Sequence, residues 1–138
     1  MERAYNSRGL ANRALKNFSN AVQDFTHAME LDKTNAGYVD NRQGAFFALG
    51  QLNRALEDAN HAERLAPSYA FVYHSRAMIY DAMKLYDDAV HDLTTAISLD
   101  QNWIELLVDR GKVSAKEDRF DAAISDFNRA IERNRNLT

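Results

Sequence analysis

Arginine recurs every 34 residues along this chain, at Arg8, Arg42, Arg76 and Arg110. The same interval separates Asp24, Asp58, Asp92 and Asp126. It also separates Ala21, Ala55, Ala89 and Ala123, and again Ala28, Ala62, Ala96 and Ala130. Columns that share one period decide the architecture before any local propensity is weighed. A chain built from copies of one supersecondary unit must bury the face of each copy against the next. The unit is clearest from Tyr73 to Asp100. Apolar or small residues fall at Tyr73, Ala77, Tyr80 and Met83, then at Tyr86, Ala89, Val90, Leu93, Ala96, Ile97 and Leu99. Steps of three or four belong to a buried helical stripe and not to a strand. A polar break around Lys84 divides the two stripes, so the unit is expected to be two helices folded back on each other.

In this register the repeats run 2–35, 36–69, 70–103 and 104–137, leaving over Met1 and Thr138. Gly50 marks a turn inside the second repeat, and Pro67 is placed to stop its second helix. A length of 138 residues suits one domain or one short array, and 46% hydrophobic residues are enough to bury it. A single proline and five glycines favour long unbroken helices. The net charge of −3 gives no basic face for nucleic acid. With no cysteine there is neither a disulfide framework nor a cysteine metal site, and a cytoplasmic, reducing compartment is expected. No apolar run reads as a targeting segment or a membrane span, so no membrane association is expected.

The pattern resembles the tetratricopeptide repeat, a 34-residue helix–turn–helix unit. With each repeat numbered 1–34, that family favours bulk at position 4, small residues at 8, 20 and 27, aromatics at 11 and 24, and proline at 32. The third repeat fits with Tyr73, Ala77, Tyr80, Ala89, Leu93 and Ala96. The first fits with Tyr5, Gly9, Ala21, Phe25 and Ala28 but has Asn12 at 11. The second departs with Gln43 at 8 and Ala59 at 24, and it alone has the proline. The fourth fits with Gly111, Ala123, Phe127 and Ala130 but has Ser114 at 11. The resemblance implies an all-α fold: a right-handed α-solenoid of four repeats, eight antiparallel helices and no separate capping helix. It implies a single array whose first helices line an inner wall and whose second helices form the outer one.

Position 7 on the first helix faces the second helix, so each arginine of the column is expected to pair with the aspartate of its own repeat. That removes the arginines from any binding surface. Enzyme signatures are absent: there is no Gly-rich phosphate loop, no His-Glu-x-x-His and no nucleophile elbow. None of His27, His61, His74 and His91 is followed by a second ligand at i+4, so no metal and no cofactor are expected. Asp87 and Asp88 open a helix, where acidic residues complement the dipole.

The resemblance places binding on inner positions 2, 5, 6, 9, 12 and 13 of the first helices. From these we select Arg3, Asn6, Leu10 and Arg13 in the first repeat, and Asn41 and Phe47 in the second. The third supplies Phe71, His74, Ser75 and Met78, and the fourth Asp109 and Lys112. Phe47, Phe71 and Met78 are large apolar residues where packing within the array does not need them, a mark of an interaction surface. Asn41 sits where related arrays hold a peptide backbone, and an amide both donates and accepts. The family's clamp for acidic chaperone tails needs Lys at 5 and Asn at 9, then Asn at 6, then Lys at 2 and Arg at 6. Here Asn6, Leu10, Asn41, Phe71 and Ser75 occupy the better frame, and Asn41 alone matches. The implied function is binding of a peptide or helical segment of a partner protein, without that clamp.

The last helix, expected from Phe120 to about Arg133, leaves Ile124, Phe127 and Ile131 partly unpaired. A stop one residue past a repeat suggests a piece cut at a repeat boundary. The same open face offers the alternative of a scaffold that self-assembles through its C-terminal helix.

Overall fold

The structure, a computed structural model, describes residues 1–136. The last residue of the fourth expected repeat, Leu137, and the left-over Thr138 lie outside the described residues. Eight α-helices follow in order: α1 (Glu2–Ala14), α2 (Phe18–Leu31), α3 (Ala36–Ala48), α4 (Leu52–Leu65), α5 (Ala70–Ala82), α6 (Tyr86–Leu99), α7 (Glu105–Lys116) and α8 (Phe120–Asn136). No strand occurs among the described residues. The last helix runs three residues past the expected Arg133, because Asn134, Arg135 and Asn136 contain neither glycine nor proline to stop it.

Each helix pair is closed by one backbone device. Lys16, Gly50, Lys84 and Asp118 share position 15 of the repeat, and all are left-handed, with φ of 64°, 73°, 62° and 58°. The residue after each turns its N–H back onto the preceding helix: Asn17 to Asn12 O at 2.8 Å, Gln51 to Phe46 O at 2.9 Å, Leu85 to Tyr80 O at 2.8 Å and Arg119 to Ser114 O at 3.0 Å. These bonds satisfy carbonyls that the helix end leaves open. At the far end of α4, Pro67 follows the cap residue Ala66, as its missing N–H requires.

The helices group into two compact units, Met1–Pro67 and Ser68 onward. In the first, α1 packs on α2, α2 on α3, and α3 on α4. Its core holds Ala21, Phe25 and Ala45 with no exposed surface. In the second, α5 packs on α6, α6 on α7, and α7 on α8, around fully buried Ile79, Leu93, Leu106 and Leu107. Small and aromatic positions interlock across each pair. A Cβ on Gly9 would lie 2.6 Å from the Phe25 ring, and one on Gly111 would lie 2.6 Å from the Phe127 ring. The aromatic therefore fills the space that the glycine leaves, which is close packing by complementary volume.

Candidate functional site

The arginine column belongs to the interior of each helix pair. Arg8, Arg42 and Arg110 reach Asp24, Asp58 and Asp126 with Nη2–Oδ1 distances of 2.7 Å, and Arg76 donates through Nε to Asp92 Oδ2 at 2.7 Å. In every pair both carboxylate oxygens are engaged, a fork that suits guanidinium geometry. The hydrogen bond from Arg8 holds the Asp24 carboxyl below the usual carboxylate range, and the reciprocal bond raises Arg8. Arg42 and Arg110 are raised in the same way by Asp58 and Asp126. Two of these arginines also bridge backwards. Arg42 Nη1 donates to Thr26 Oγ1, and Arg110 Nη1 to Thr94 Oγ1, each at 3.1 Å. The column therefore ties repeats together and leaves no row of free cations.

The inner positions form one wall in each unit. In the first unit, α1 and α3 are joined by Asn41 Nδ2, which donates to Asn6 Oδ1 at 2.9 Å. The donor expected to meet a peptide backbone is thus already bonded to the neighbouring helix. Arg13 is exposed and lies against Gly44, where a Cβ would come 3.3 Å from its Nη1. Leu10 and Phe47 stand 36% and 37% exposed on the same helices, and Arg3 is exposed at the start of α1.

In the second unit, α5 and α7 are joined by the same geometry. His74 Nε2 lies 2.9 Å from Asp109 Oδ2, and the two side chains are equally half-buried. The His74 ring also stacks at a tilt on Trp103, centroids 4.7 Å apart. Lower on the wall, Lys116 Nζ donates to both oxygens of Asp81 at 2.7 Å. Phe71 is half-buried beside Tyr69, with ring centroids 6.1 Å apart. Ser75 and Met78 are half-buried, and Lys112 is exposed.

Sequence reasoning therefore placed these residues on the right elements but missed what several of them touch. His74 and Asp109 pair with each other, as do Asn6 and Asn41. Both contacts link position 5 of one repeat to position 6 of the next, and Asp81 to Lys116 links 12 to 13. The signal was a spacing of 35 between complementary polar residues, which a search for identical columns passes over. Trp103 was missed for a different reason. It occupies the position before a first helix, where Asn35 instead caps α3 by accepting from the N–H groups of Gly37 and Tyr38.

Beyond the walls, Ile104, Val108, Phe127 and Ile131 line an open cleft of about 700 Å³ between α7 and α8. Among the described residues no three acidic, histidine or cysteine side chains gather as metal ligands. No described helix is long and apolar enough to cross a membrane.

A family model described as tetratricopeptide repeat matches residues 2–35, 72–102 and 104–137. No curated protein matches the sequence. Among solved structures, the chain is similar to MamA with a TM-score of 0.90 and 20% identity, covering 99% of this chain and 80% of that one. It is also similar to the repeat domain of Sgt2 from Aspergillus fumigatus, with a TM-score of 0.81, 24% identity and coverage of 87% and 81%. The first repeat domain of Spaghetti (RPAP3), solved with the HSP90 peptide SRMEEVD, gives a TM-score of 0.79 at 24% identity, covering 85% and 93%.

Proposed function

The chain belongs to the tetratricopeptide repeat family, and from that premise we propose that it is a protein–protein interaction module whose inner walls hold a peptide or helical segment of a partner. One observation carries this reading. The walls carry large apolar side chains, Leu10 and Phe47 exposed in one unit and Phe71 and Met78 half-buried in the other, on helix faces already tied down by polar pairs. Such a face is fixed before the partner arrives, which lowers the ordering cost of binding. A relative in fold was solved with a bound peptide, and this supports the peptide reading. The chaperone-tail clamp does not transfer, because Leu10 and Phe71 stand where its polar and cationic contacts belong and Asn41 is bonded to Asn6.

The test is an affinity pull-down of partners with the double variant Phe71→Ala, Asn41→Ala beside the unaltered chain. Loss of the partner with an unchanged oligomeric state is the expected result. Retention of the partner at equal yield overturns the reading. A second reading, a scaffold that assembles through its end face, is favoured by the apolar cleft between α7 and α8.

A further inference from the structure

We propose that copies of this chain join head to tail, the outer face of α1 in one copy seated in the α7–α8 cleft of the next. The proposal rests on the scaffold reading and names the surface that fills the cleft. A polar contact inside each unit shows how one repeat meets the next. Arg42 Nη1 reaches back to Thr26 Oγ1, and Arg110 Nη1 to Thr94 Oγ1, each acceptor lying on the second helix of the preceding repeat. Those two arginine side chains are 22% and 18% exposed. Arg8 holds the same position on α1, yet its side chain is 65% exposed and its Nη1 finds no acceptor among the described residues. The matching acceptor stands on α8. Asn128 occupies the repeat position of Thr26 and Thr94, is exposed, and makes no hydrogen bond among the described residues. Its amide oxygen can accept from a guanidinium as the threonine hydroxyls do. The donor at the head and the acceptor at the tail thus repeat the bond that joins neighbouring repeats.

The apolar surfaces correspond in the same register. Tyr38 and Ala45 on α3, like Leu106 and Val113 on α7, are buried, and Ala45 packs with Ala21 and Phe25 of the preceding repeat. Their counterparts on α1, Ala4 and Ala11, are exposed. At the tail, Phe127 and Ile131 line the cleft, whereas their counterparts Phe25 and Ile97 are buried on helices that carry a following first helix. Each surface carries both signs of charge, Glu2 and Arg3 at the start of α1 and Glu105 and Arg135 in the cleft, so no block of like charge opposes the contact. The two faces are unlike, so the contact is heterologous, and each copy added presents a fresh cleft. A glutamate at 124, one turn before Asn128, would meet the Arg8 guanidinium in this arrangement. At 131 it would stand among Ile104, Val108 and Phe127.

The test blocks one end at a time. Ala4→Glu closes the head and leaves the cleft open, and Ile131→Glu closes the cleft and leaves the head open. Both positions are exposed, and circular dichroism confirms that each variant keeps its helices. Sedimentation is then run on each variant alone and on an equimolar mixture. Each alone is expected to associate at least about tenfold more weakly than the unaltered chain. The mixture is expected to form a dimer and nothing larger, because one open head meets one open cleft. Asn128→Leu removes the acceptor and should weaken assembly of the unaltered chain about threefold. An Ala4→Glu variant that still dimerises by itself overturns the head-to-tail contact and leaves a two-fold contact between clefts, with the scaffold reading intact. A mixture that stays monomeric while the unaltered chain associates overturns the proposal. An unaltered chain that stays monomeric removes the scaffold reading and the proposal with it.

Discussion

At the scale of single residues, the four arginine–aspartate pairs share a position but not an environment. The Arg76 side chain is 13% exposed over an Asp92 that is 3% exposed, whereas Arg8 is 65% exposed. Water screens the Arg8 pair from one side, and the Arg76 pair has little such relief. Arg76→Met strands a buried carboxylate and is expected to cost about 3 kcal/mol, whereas Arg8→Met, at an exposed guanidinium, is expected to cost clearly less. Thermal melts followed by circular dichroism read both, and an unchanged melting temperature and helicity in Arg76→Met would sink the pairing argument. The acid limb adds a sign. The folded-state Asp24 carboxyl titrates below its ordinary value, chiefly through the Arg8 hydrogen bond. Its contribution is therefore full above about pH 4, the unfolded value, and is lost as pH falls through the lower folded value. Arg8→Met should flatten that part of the stability–pH curve. These pairs were legible because one pair of residue types repeats four times at one spacing. His74 with Asp109 and Asn6 with Asn41 were not, because the same geometric slot holds different chemistry in each unit.

At the scale of the helix and its turn, position 15 offers a comparison that the chain itself provides. Gly50 holds φ of 73°, and a Cβ there would meet nothing within 4 Å, so any cost of a side chain is backbone strain alone. Lys84 holds φ of 62° with a side chain in place. The left-handed region costs an L-residue about 1–2 kcal/mol, and glycine gives back about 0.5–1 kcal/mol through the freedom of its unfolded chain. Lys84→Gly should therefore stabilise by about 0.5 kcal/mol, and Gly50→Ala should destabilise by a similar amount. Urea unfolding of the two variants checks both, and the same sign for both would contradict the strain argument. The helices and their turns were readable from the stripe and its break. The left-handed residues were readable at Gly50 and weakly at Asp118, because glycine and aspartate favour that conformation while Lys16 and Lys84 carry no local signature of it. The 34-residue register supplies it once Gly50 is aligned with them.

At the scale of the whole molecule, the repeat makes exposure itself interpretable. Ile97 and Ile131 occupy the same position of successive repeats. Ile97, on α6 with α7 packed against that helix, is 8% exposed, while Ile131 on α8 is 51% exposed. Phe25, on α2 beneath α3, is fully buried, while Phe127 is half-buried at the cleft. The open face was expected from the spacing of Ile124, Phe127 and Ile131. Its division was not, because periodicity does not tell which of these residues line the groove between two helices. Phe127 and Ile131 line it with Ile104 and Val108, whereas Ile124 stands outside it. Uncovered apolar surface of this kind drives association when a matching face is present, and a second copy is the simplest source. Sedimentation equilibrium of this 138-residue chain is expected to show a mass that rises with concentration. Ile131→Glu places a charge in the cleft and should return the chain to a monomer. Ile124→Glu adds the same charge to the same helix outside the cleft and should leave the association unchanged. A chain that stays monomeric at millimolar concentration removes the scaffold reading. If both variants dissociate equally, the seam runs along the outer side of α8 and not through the cleft.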